Sequence, residues 1–389
     1  MLLYIIAGEF TNSISMVRDG LTHRYYGLYW QLIERLYKDT RKVKVFWYSV
    51  AERRLYVITE SKSLKTDLIR STLMVYKVAL NSANPIIVII DYPHSFYGFK
   101  FFLEYVIFLI LLHFLKRLLR ASLLVICDDM DPPLEHSQAL GRSMRLPEIM
   151  LWIFLNKLAL SFDIVTAMSE GYKIYLAKQY KIPLKKIVAI PSGSFVEYIP
   201  YFKPVVDEKL TLIYAGNLDQ RLKNLGEQIL CAVGELKSKG YNIEFIITGK
   251  NLVGDIRCVE NAKFLEGVDY SSYLHILVKS HVCLLLYPKC LHNDLATFTK
   301  FSDYITVGRP VITTDLMMTS KIVSECSCGF VFRDIDEFKK ILIEIYNQRL
   351  NIIEDMGIKA RKWAELNSYR RYIERLIDAI GEYLRGGTQ

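Results

Sequence analysis

A helix, a tight turn and a strand are predicted in close succession within residues 299–315, TKFSDYITVGRPVITTD. The Gly308-Arg309-Pro310 turn is expected to end a short amphipathic helix, because glycine favours a helix end and proline cannot continue a helix. The β-branched run from Val311 to Thr314 is typical of a strand. Lys300 and Asp303 are three residues apart and share one helical face. We expect Lys300 to face an anion and Asp303 to accept hydrogen bonds from a vicinal diol such as a ribose. An ordinary helix-to-strand connection with a solvated charge pair is the alternative.

Short β-branched runs alternate with amphipathic helical runs along the whole chain, which is typical of an α/β protein with parallel sheets. A proline-containing segment, residues 191–204, separates two such series. In the first series, strands are expected at Leu2–Ala7, Lys44–Trp47, Ile86–Ile90, Leu123–Cys127, Ile164–Ala167 and Lys186–Ile190. In the second series, they are expected at Leu210–Tyr214, Ile243–Thr248, Val282–Leu286, Val311–Thr313 and Phe330–Phe332.

The length of 389 residues suits two domains of ordinary size. We predict an N-terminal domain over residues 1–200 and a C-terminal ligand-binding domain over 201–365. A last helix within 366–389 is expected to pack back on the first domain. The two doubly wound, Rossmann-like domains should face each other across a cleft, and ligands of such sheets bind beyond the carboxyl ends of the strands.

The net charge of +9 suits an anionic partner: a nucleotide diphosphate, an anionic membrane surface or nucleic acid. Nucleic acid is not expected, because the basic residues form no run interleaved with aromatic residues of the kind that binds single strands. The seven cysteines show no C-x-x-C spacing, and most of them lie in apolar runs. We therefore expect reduced core cysteines in a cytoplasmic protein.

The N-terminal MLLYIIAGEF is expected to be a buried strand, because it lacks the basic start and the long apolar region of a signal peptide. No run of 18 or more uncharged apolar residues is present, so no membrane-spanning helix is expected. Residues 98–120, GFKFFLEYVIFLILLHFLKRLLR, form a helix that is apolar almost all round, with a basic end. Such a helix either packs in a core or lies in a membrane interface. The second alternative would place the protein peripherally on the inner face of the cell membrane.

An anion site is predicted where the first strand of the second series ends. Gly216 follows this strand and lets the backbone approach a ligand. Asn224 is the expected N-cap of the next helix, whose amino end offers free N–H groups to an anion. Arg221 and Lys223 add two cations just before that helix.

Residues 299–315 resemble the donor-sugar signature of family-4 glycosyltransferases of the GT-B fold, with Asp303 where most members have glutamate. Two further elements are similar to that family. Residues 163–170, DIVTAMSE, resemble its A-D-x-strand-x-S-E element, and residues 185–193, KKIVAIPSG, resemble its closing strand, with Ser192 in place of asparagine. The resemblance covers about residues 86–333.

This resemblance implies a retaining, hexosyltransferase-type enzyme that moves a sugar from a nucleotide-diphospho sugar to a glycan or polyprenyl-linked acceptor. It implies no metal ion and no cofactor. Arg221 and Lys223 would stabilise the charge that develops on the leaving diphosphate. The residues that would bind the donor are Gly8, Gly216, Lys223, Gly249, Val268, Asp294, Lys300 and Asp303.

The loop Asp128-Asp129-Met130-Asp131 has competing interpretations. Its D-x-D pattern can bind a divalent metal, as in glycosyltransferases of the GT-A fold. In a GT-B protein, the same loop would face the acceptor, and Asp129 or Asp131 would orient the acceptor hydroxyl or the transferred sugar. We favour the second interpretation, because a GT-A enzyme has no separate phosphate site like that of Lys223. A loop that only caps the next helix is a third alternative.

Two other functions stay open. A sugar phosphorylase or nucleotide-sugar epimerase of the same fold would share the donor residues. A non-catalytic basic protein that binds membranes or nucleic acid would share only the charge, and its nucleic-acid affinity would fall steeply with salt.

Overall fold

The computed structural model describes residues 1–10, 12, 16, 23–40, 43–80, 85–92, 99–119, 122–129, 132–205, 208–254 and 256–386, without the side chains of 39–40, 99–101, 349–350 and 386. The chain forms two compact units. The first unit comprises residues 1–137, 142–191 and 370–389, and the second comprises 138–141 and 192–369.

The first unit is built on an eight-stranded sheet. Its strands are β1 (Leu2–Ala7), β2 (Lys44–Ser49), β3 (Arg54–Val57), β4 (Lys62–Lys65), β5 (Ile86–Tyr92), β6 (Leu123–Asp129), β7 (Ile164–Ala167) and β8 (Ile187–Ala189). They lie in the order β4-β3-β2-β1-β5-β6-β7-β8. All neighbours pair in parallel except the β2–β3 and β3–β4 pairs at one edge.

Helices connect the parallel strands of the first unit. They are α1 (Gln31–Thr40), α2 (Leu68–Leu80), α3 (Phe99–Leu119), α4 (Pro133–Ala139), α5 (Leu146–Ala159) and α6 (Glu170–Tyr180), with α13 (Tyr369–Gly386) at the end of the chain. A π-helical segment, Tyr25–Trp30, leads directly into α1. The central strands β1, β5 and β6 are buried along their whole length, as expected of parallel strands that are covered on both faces.

The second unit is built on a six-stranded parallel sheet. Its strands are β9 (Leu210–Ala215), β10 (Ile243–Thr248), β11 (Lys263–Phe264), β12 (Val282–Leu285), β13 (Val311–Thr314) and β14 (Gly329–Phe332). Its helices are α7 (Lys223–Ser238), α8 (Tyr270–Lys279), α9 (Leu291–Leu295), α10 (Thr299–Thr306), α11 (Met317–Cys326) and α12 (Ile335–Leu366).

The strand order of the second sheet, β11-β10-β9-β12-β13-β14, is that of a doubly wound fold. Chain order runs outward in both directions from the central pair of β9 and β12. Connections from β9 and from β12 therefore lead to opposite faces of the sheet, and a crevice opens where they part. The carboxyl ends of β9 and β12 mark the position at which such a sheet binds its ligand.

A buried arginine holds the turn between α10 and β13. The side chain of Arg309 is 0% exposed and donates hydrogen bonds to the carbonyl oxygens of Ser280 (2.8 Å), Phe202 (2.9 Å) and Val307 (2.8 Å). Because carbonyl oxygens replace the water around the guanidinium, its charge is accommodated without a carboxylate. The turn predicted at residues 308–310 is thus joined to the end of α8 and to the segment before β9.

Three expectations about local structure are wrong. Asn224 is not an N-cap, because α7 already begins at Lys223 after a 3-10 turn at Gln220–Leu222. Asp128 and Asp129 belong to β6 and not to a loop. Four of the seven cysteines are not reduced: Cys231 pairs with Cys258 and Cys326 with Cys328, each with a Cα–Cα distance of 5.2 Å that permits a disulfide.

Helix α3, which covers most of residues 98–120, is buried along one side only. One side of it is buried in the first unit, through residues such as Phe108, Leu109 and Leu112, and the opposite side is exposed through Ile110 and Phe114. Among the described residues, no helix is long and apolar enough to cross a membrane.

Candidate active site

Two glycines let the backbones after β9 and β10 touch at the crevice of the second unit. Gly216 has a φ of +141°, which only glycine adopts easily. A Cβ on Gly249 would overlap the carbonyl group of Gly216 and lie 2.8 Å from the Asn217 nitrogen. The Asn217 carboxamide also accepts a hydrogen bond from the Lys250 N–H (2.8 Å). The two loops therefore pack directly against each other beside the end of β9.

The ammonium group of Lys300 lies directly over Gly216. A Cβ on that glycine would overlap the Lys300 Nζ. The same Nζ lies 5.0 Å from the ring centre of Tyr214 and 5.4 Å from that of Tyr287, within cation–π range. Tyr287 in turn stacks on Phe298, with ring centres 3.8 Å apart. An aromatic wall thus holds the ammonium group at the carboxyl end of β9.

Lys300 is partly buried, and none of the described carboxylates forms an ion pair with it. Burial and, to a smaller extent, the nearby charge of Arg221 lower the pKa of Lys300 to about 8, against the opposing attraction of Asp219. A desolvated ammonium group without a carboxylate partner is costly in the free protein. It is a favourable partner for an anionic ligand that enters the crevice.

Arg221 lies on the 3-10 turn just before α7. Its Nε donates to both carboxylate oxygens of Asp219 (3.2 and 3.0 Å), and its backbone N–H donates to Oδ1 (3.0 Å). Burial alone would raise the pKa of the Asp219 carboxyl, but these hydrogen bonds and the charge of Arg221 keep it below its ordinary value. Lys223 begins α7, and no side chain caps that helix end. The Lys223 N–H bonds the Gln220 carbonyl of the 3-10 turn, so that turn and α7 together place a positive dipole end beside the two cations.

A tyrosine hydroxyl positions helix α10 across the crevice. The Tyr304 Oη accepts a hydrogen bond from the Ala215 N–H on β9 (3.0 Å) and donates one to the Leu284 carbonyl on β12 (3.2 Å). Lys300 precedes Tyr304 by one helical turn, so the two side chains lie on the same face of α10. These two hydrogen bonds therefore fix the position of α10, and with it the Lys300 ammonium group, relative to the ends of β9 and β12.

Asp303, on the same helix, is 5% exposed. Its Oδ1 accepts a hydrogen bond from the Tyr270 hydroxyl (2.7 Å) at the start of α8. Tyr270 follows Gly267, Val268 and Asp269, and Asp269 caps α8 by accepting from the Ser272 N–H (2.8 Å). The partly exposed Val268 and the buried Asp303 are thus joined through one short segment.

In the first unit, a buried charge cluster lies at the carboxyl ends of the central strands. Arg24 donates to Asp128 through Nε (2.8 Å) and Nη2 (2.5 Å), and both side chains are almost fully buried. The hydroxyl groups of Tyr29 and Thr166 donate to the same carboxylate. Burial would raise the pKa of Asp128, but Arg24 and these hydrogen bonds keep it below its ordinary value of 3.8.

Comparison with known proteins shows the fold. No protein-family model matches the chain, and no curated protein matches it. Among solved structures, it is similar to a sucrose-phosphate synthase from Thermosynechococcus elongatus, with a TM-score of 0.66, 13% identity and coverage of 99% of each chain. It is also similar to a glycosyltransferase from Rickettsia africae ESF-5, with a TM-score of 0.62, 12% identity and coverage of 98% of each chain. This chain has the GT-B fold.

Two more GT-B structures differ in length. The chain covers 99% of WaaG, described as a glycosyltransferase involved in lipopolysaccharide biosynthesis, with a TM-score of 0.59, 13% identity and 97% of this chain covered. It spans only 60% of TarM, at a TM-score of 0.54 and 13% identity over 84% of this chain. The predicted fold class, two Rossmann-like units with parallel sheets, is therefore confirmed.

The GT-B chain brings five of the predicted donor residues to one crevice. Gly216, Gly249, Lys300 and Lys223 lie around the carboxyl end of β9 and the start of α7, and Asp303 lies on the helix that carries Lys300. Asp294 instead accepts a hydrogen bond from the Met317 N–H (3.1 Å), at the start of α11. The Asp294 carboxylate is therefore already bonded to the amino end of α11.

Val268 and Arg221 also belong to the second unit, and the predicted residues Gly8 and Asp129 belong to the first. The Gly8 N–H donates to the Tyr25 hydroxyl (3.0 Å), which donates to Asp91 (2.5 Å). Asp129 is the last residue of β6 and is 3% exposed. Asp131 lies outside the described residues. Within the described part of the chain, no group of three or more His, Cys, Asp or Glu side chains is arranged to hold a metal ion.

Several residues of these sites were not predicted. Tyr304 carried a signal, because it follows Asp303 directly within residues 299–315, the stretch that resembles the donor-sugar signature. Tyr214 and Tyr287 carried none, since a tyrosine at a strand end is common. Arg24 is separated from Asp128 by 104 residues, and nothing in the local sequence distinguishes it from an exposed arginine.

Proposed function

We propose that the protein is a family-4-like glycosyltransferase, whose second unit binds a nucleotide-diphospho sugar and whose acceptor is a glycan or a polyprenyl-linked sugar. The observation that carries this proposal is the partly buried ammonium group of Lys300, which faces the crevice between β9 and β12 and has no ion-pair partner among the described carboxylates. The solved glycosyltransferases of the same fold support sugar transfer.

The charge arrangement supports a donor diphosphate in this crevice. When a sugar leaves its nucleotide, negative charge builds up on the diphosphate. Lys300, Arg221 and the uncapped start of α7 are cations or positive dipole ends already in place, so they stabilise that charge without reorganisation. Lys223 adds a further positive charge at the first position of α7. The absence of a Cβ on Gly216 allows the diphosphate to approach the backbone.

We further propose that the transfer retains the anomeric configuration and requires no metal ion. The family resemblance of residues 299–315 supports retention, and the cations at the crevice can supply the charge stabilisation that a metal would otherwise give. In this mechanism, a donor phosphate oxygen takes the proton of the attacking hydroxyl. Asp129 and Asp131 are proposed to orient the acceptor hydroxyl or the transferred sugar. Val268 backbone groups are proposed to hold the nucleobase.

Nucleotide-induced stabilisation tests the proposed donor site directly. Purified protein is heated with UDP, GDP or ADP, with and without EDTA, because a ligand that binds only the folded state raises its apparent stability. We expect a rise in Tm with one nucleotide class, unchanged by EDTA. A rise that EDTA abolishes would contradict metal independence, and no rise with any nucleotide would contradict the proposed function. Transfer from the corresponding nucleotide sugar, with the product anomer determined by NMR, then tests retention.

Gly216→Ala is expected to abolish the nucleotide-induced stabilisation, because the added methyl group would occupy the position of the Lys300 Nζ. Gly240→Ala is the matched control. Gly240 also has a positive φ, of +90°, but nothing lies within 4 Å of an added Cβ. The control should lower the free energy of unfolding by about 1 kcal/mol through backbone strain and leave the nucleotide effect intact. Equal nucleotide responses of both variants would contradict the proposed place of the diphosphate.

A further inference from the structure

Helix α3 exposes a continuous apolar stripe to solvent. Its members recur at helical spacing along one side, and their side chains are 45% to 62% exposed. They are Leu103, Ile107, Ile110, Phe114 and Leu118. Single exposed apolar residues are ordinary, but a row of five covers the whole length of the helix.

Helix α5 carries a second stripe beside the first. Leu146, Met150 and Phe154 are 69%, 62% and 51% exposed, again at helical spacing. The two helices pack side by side in the same direction. Phe102 meets Trp152 edge to face, with ring centres 5.8 Å apart, and further along both helices the His113 ring bonds the Leu158 carbonyl (2.9 Å). The stripes therefore form one surface, which we call the α3/α5 face.

Helix α2 extends this surface on the other side of α3. The Tyr76 hydroxyl on α2 bonds the Leu115 carbonyl on α3 (3.3 Å), so the two helices are neighbours. Leu73 and Leu80 of α2 are 50% and 67% exposed, and the helix contains no acidic residue. Three adjacent helices thus present large apolar side chains.

The exposed charges on α3 and α5 that have no ion-pair partner among the described residues are all positive. Arg117, Arg145 and Lys157 are exposed, and no ion pair joins them to any described carboxylate. The two acidic residues of these helices are engaged: Glu104 is buried and bonded by Arg53 (2.9 Å), and Glu148 is bonded by Arg142 (3.2 Å). Arg117 and Lys157 lie near the same end of the two parallel helices.

We propose that the α3/α5 face docks the protein on the surface of an anionic lipid bilayer. Apolar side chains in a row can enter the boundary between headgroups and acyl chains, and cations whose acidic neighbours are already paired are attracted to anionic headgroups. A protein partner could also cover the apolar stripe. It would not explain why the surrounding charges without an ion-pair partner, among the described residues, are all positive.

Vesicle co-sedimentation of the full chain tests this proposal and does not depend on the donor site. The vesicles contain phosphatidylcholine alone or with about 30% phosphatidylglycerol. We expect binding to the anionic vesicles only, and we expect salt to weaken it by screening the cations.

Binding should fall on the order of tenfold or more in a triple variant of the stripes. Its substitutions are Ile110→Gln, Phe114→Gln and Phe154→Gln. Neutralising the cationic rim should also weaken binding at least about tenfold. That variant carries Arg117→Gln, Arg145→Gln and Lys157→Gln.

Matched controls change exposed residues elsewhere. The apolar control carries Leu252→Gln, Ile358→Gln and Leu366→Gln, and the charge control carries Lys178→Gln, Lys185→Gln and Lys263→Gln; all six side chains are exposed. Both controls should bind anionic vesicles like the unchanged protein. The proposal fails if the unchanged protein does not bind these vesicles, or if the controls lose as much binding as the test variants. It also fails if light scattering shows a dimer that the stripe variant splits while its vesicle binding persists.

Discussion

Replacing Lys300 with methionine is expected to reduce sugar transfer on the order of 100- to 1,000-fold, a loss typical of removing one preorganised group that stabilises developing negative charge. The same substitution should leave the free protein as stable as before or more stable. Methionine keeps the length and apolar stem of the side chain, and it removes an ammonium group that burial penalises and that no described carboxylate neutralises. Activity and stability should therefore move in opposite directions.

The pH dependence of nucleotide binding gives a second measurement on the same residue. Burial and the charge of Arg221 lower the pKa of Lys300 to about 8 in the free protein. Only the protonated form attracts a diphosphate, so nucleotide affinity should fall as the pH rises through about 8. Bound diphosphate favours the charged form and raises the pKa of this ammonium group. In the Lys300→Met variant, this step in the affinity profile should disappear.

Lys321→Met serves as the control for a lost lysine, because Lys321 is exposed and pairs only loosely with Glu325 (3.8 Å). Calorimetric titration with the nucleotide and thermal unfolding without it measure the two effects separately. A Lys300→Met enzyme that turns over like the unchanged protein would exclude Lys300 from the donor site. A variant that loses activity and also unfolds easily would assign Lys300 a structural role.

Replacing Asp128 with asparagine is expected to lower the free energy of unfolding by about 3–5 kcal/mol, because it leaves the buried Arg24 without its countercharge. Asparagine keeps the shape, but it has one acceptor oxygen, so it can accept a hydrogen bond from Tyr29 or from Thr166, which donate to different oxygens of Asp128. The loss should therefore report the missing charge and acceptor and not a cavity. Urea unfolding measures it, and Asp355→Asn at the exposed pair with Lys359 (2.6 Å) should change stability little.

A double variant guards against failure of the single one to fold. Arg24→Met together with Asp128→Asn removes both charges and should be more stable than Asp128→Asn alone.

Unfolding at low pH gives an independent test of the same pair. The pKa of Asp128 is lowered in the folded protein, so its stabilising effect is present above the ordinary value of 3.8 and is lost as the pH falls below it. Asp128→Asn should flatten this acid dependence. A single variant as stable as the unchanged protein would contradict the assigned role of the pair.

The parallel strands were predictable because burial on both faces demands continuous apolar runs. The bounds of Leu2–Ala7, Ile164–Ala167 and Ile243–Thr248 agree with the prediction to the residue. The ends of other strands were missed for one reason. Small or polar residues such as Ser49, Ala215 and Asp129 interrupt the apolar pattern but still pair with the neighbouring strand. Polar strand ends are where a doubly wound sheet builds its sites.

The edge strands β3 and β4 could not be predicted in the same way. β4, Lys62–Lys65, is exposed at every position, so no burial pattern marks it, and only its pairing with β3 makes it a strand. The Arg24–Asp128 pair and the Cys231–Cys258 disulfide join residues that are 104 and 27 positions apart. Such partners are chosen by the tertiary fold, which a single sequence does not display. Lys300 was predicted because residues 299–315 resemble a donor-sugar signature, whereas Gly216, Tyr214 and Tyr287, which surround its ammonium group, lie on other elements.

The hydroxyl group of Tyr304 takes the place of one hydrogen-bonded residue pair between β9 and β12. The paired residues of the two strands end at Tyr214 and Leu284, and beyond them the strands part. There the Tyr304 oxygen takes the N–H of one strand and serves the carbonyl of the other. The separation of the strand ends is therefore held by one phenol, which also fixes the points from which Gly216 and Tyr287 start. These two residues contact the Lys300 ammonium group, so only the parts of the loops beyond them can vary in length without moving it.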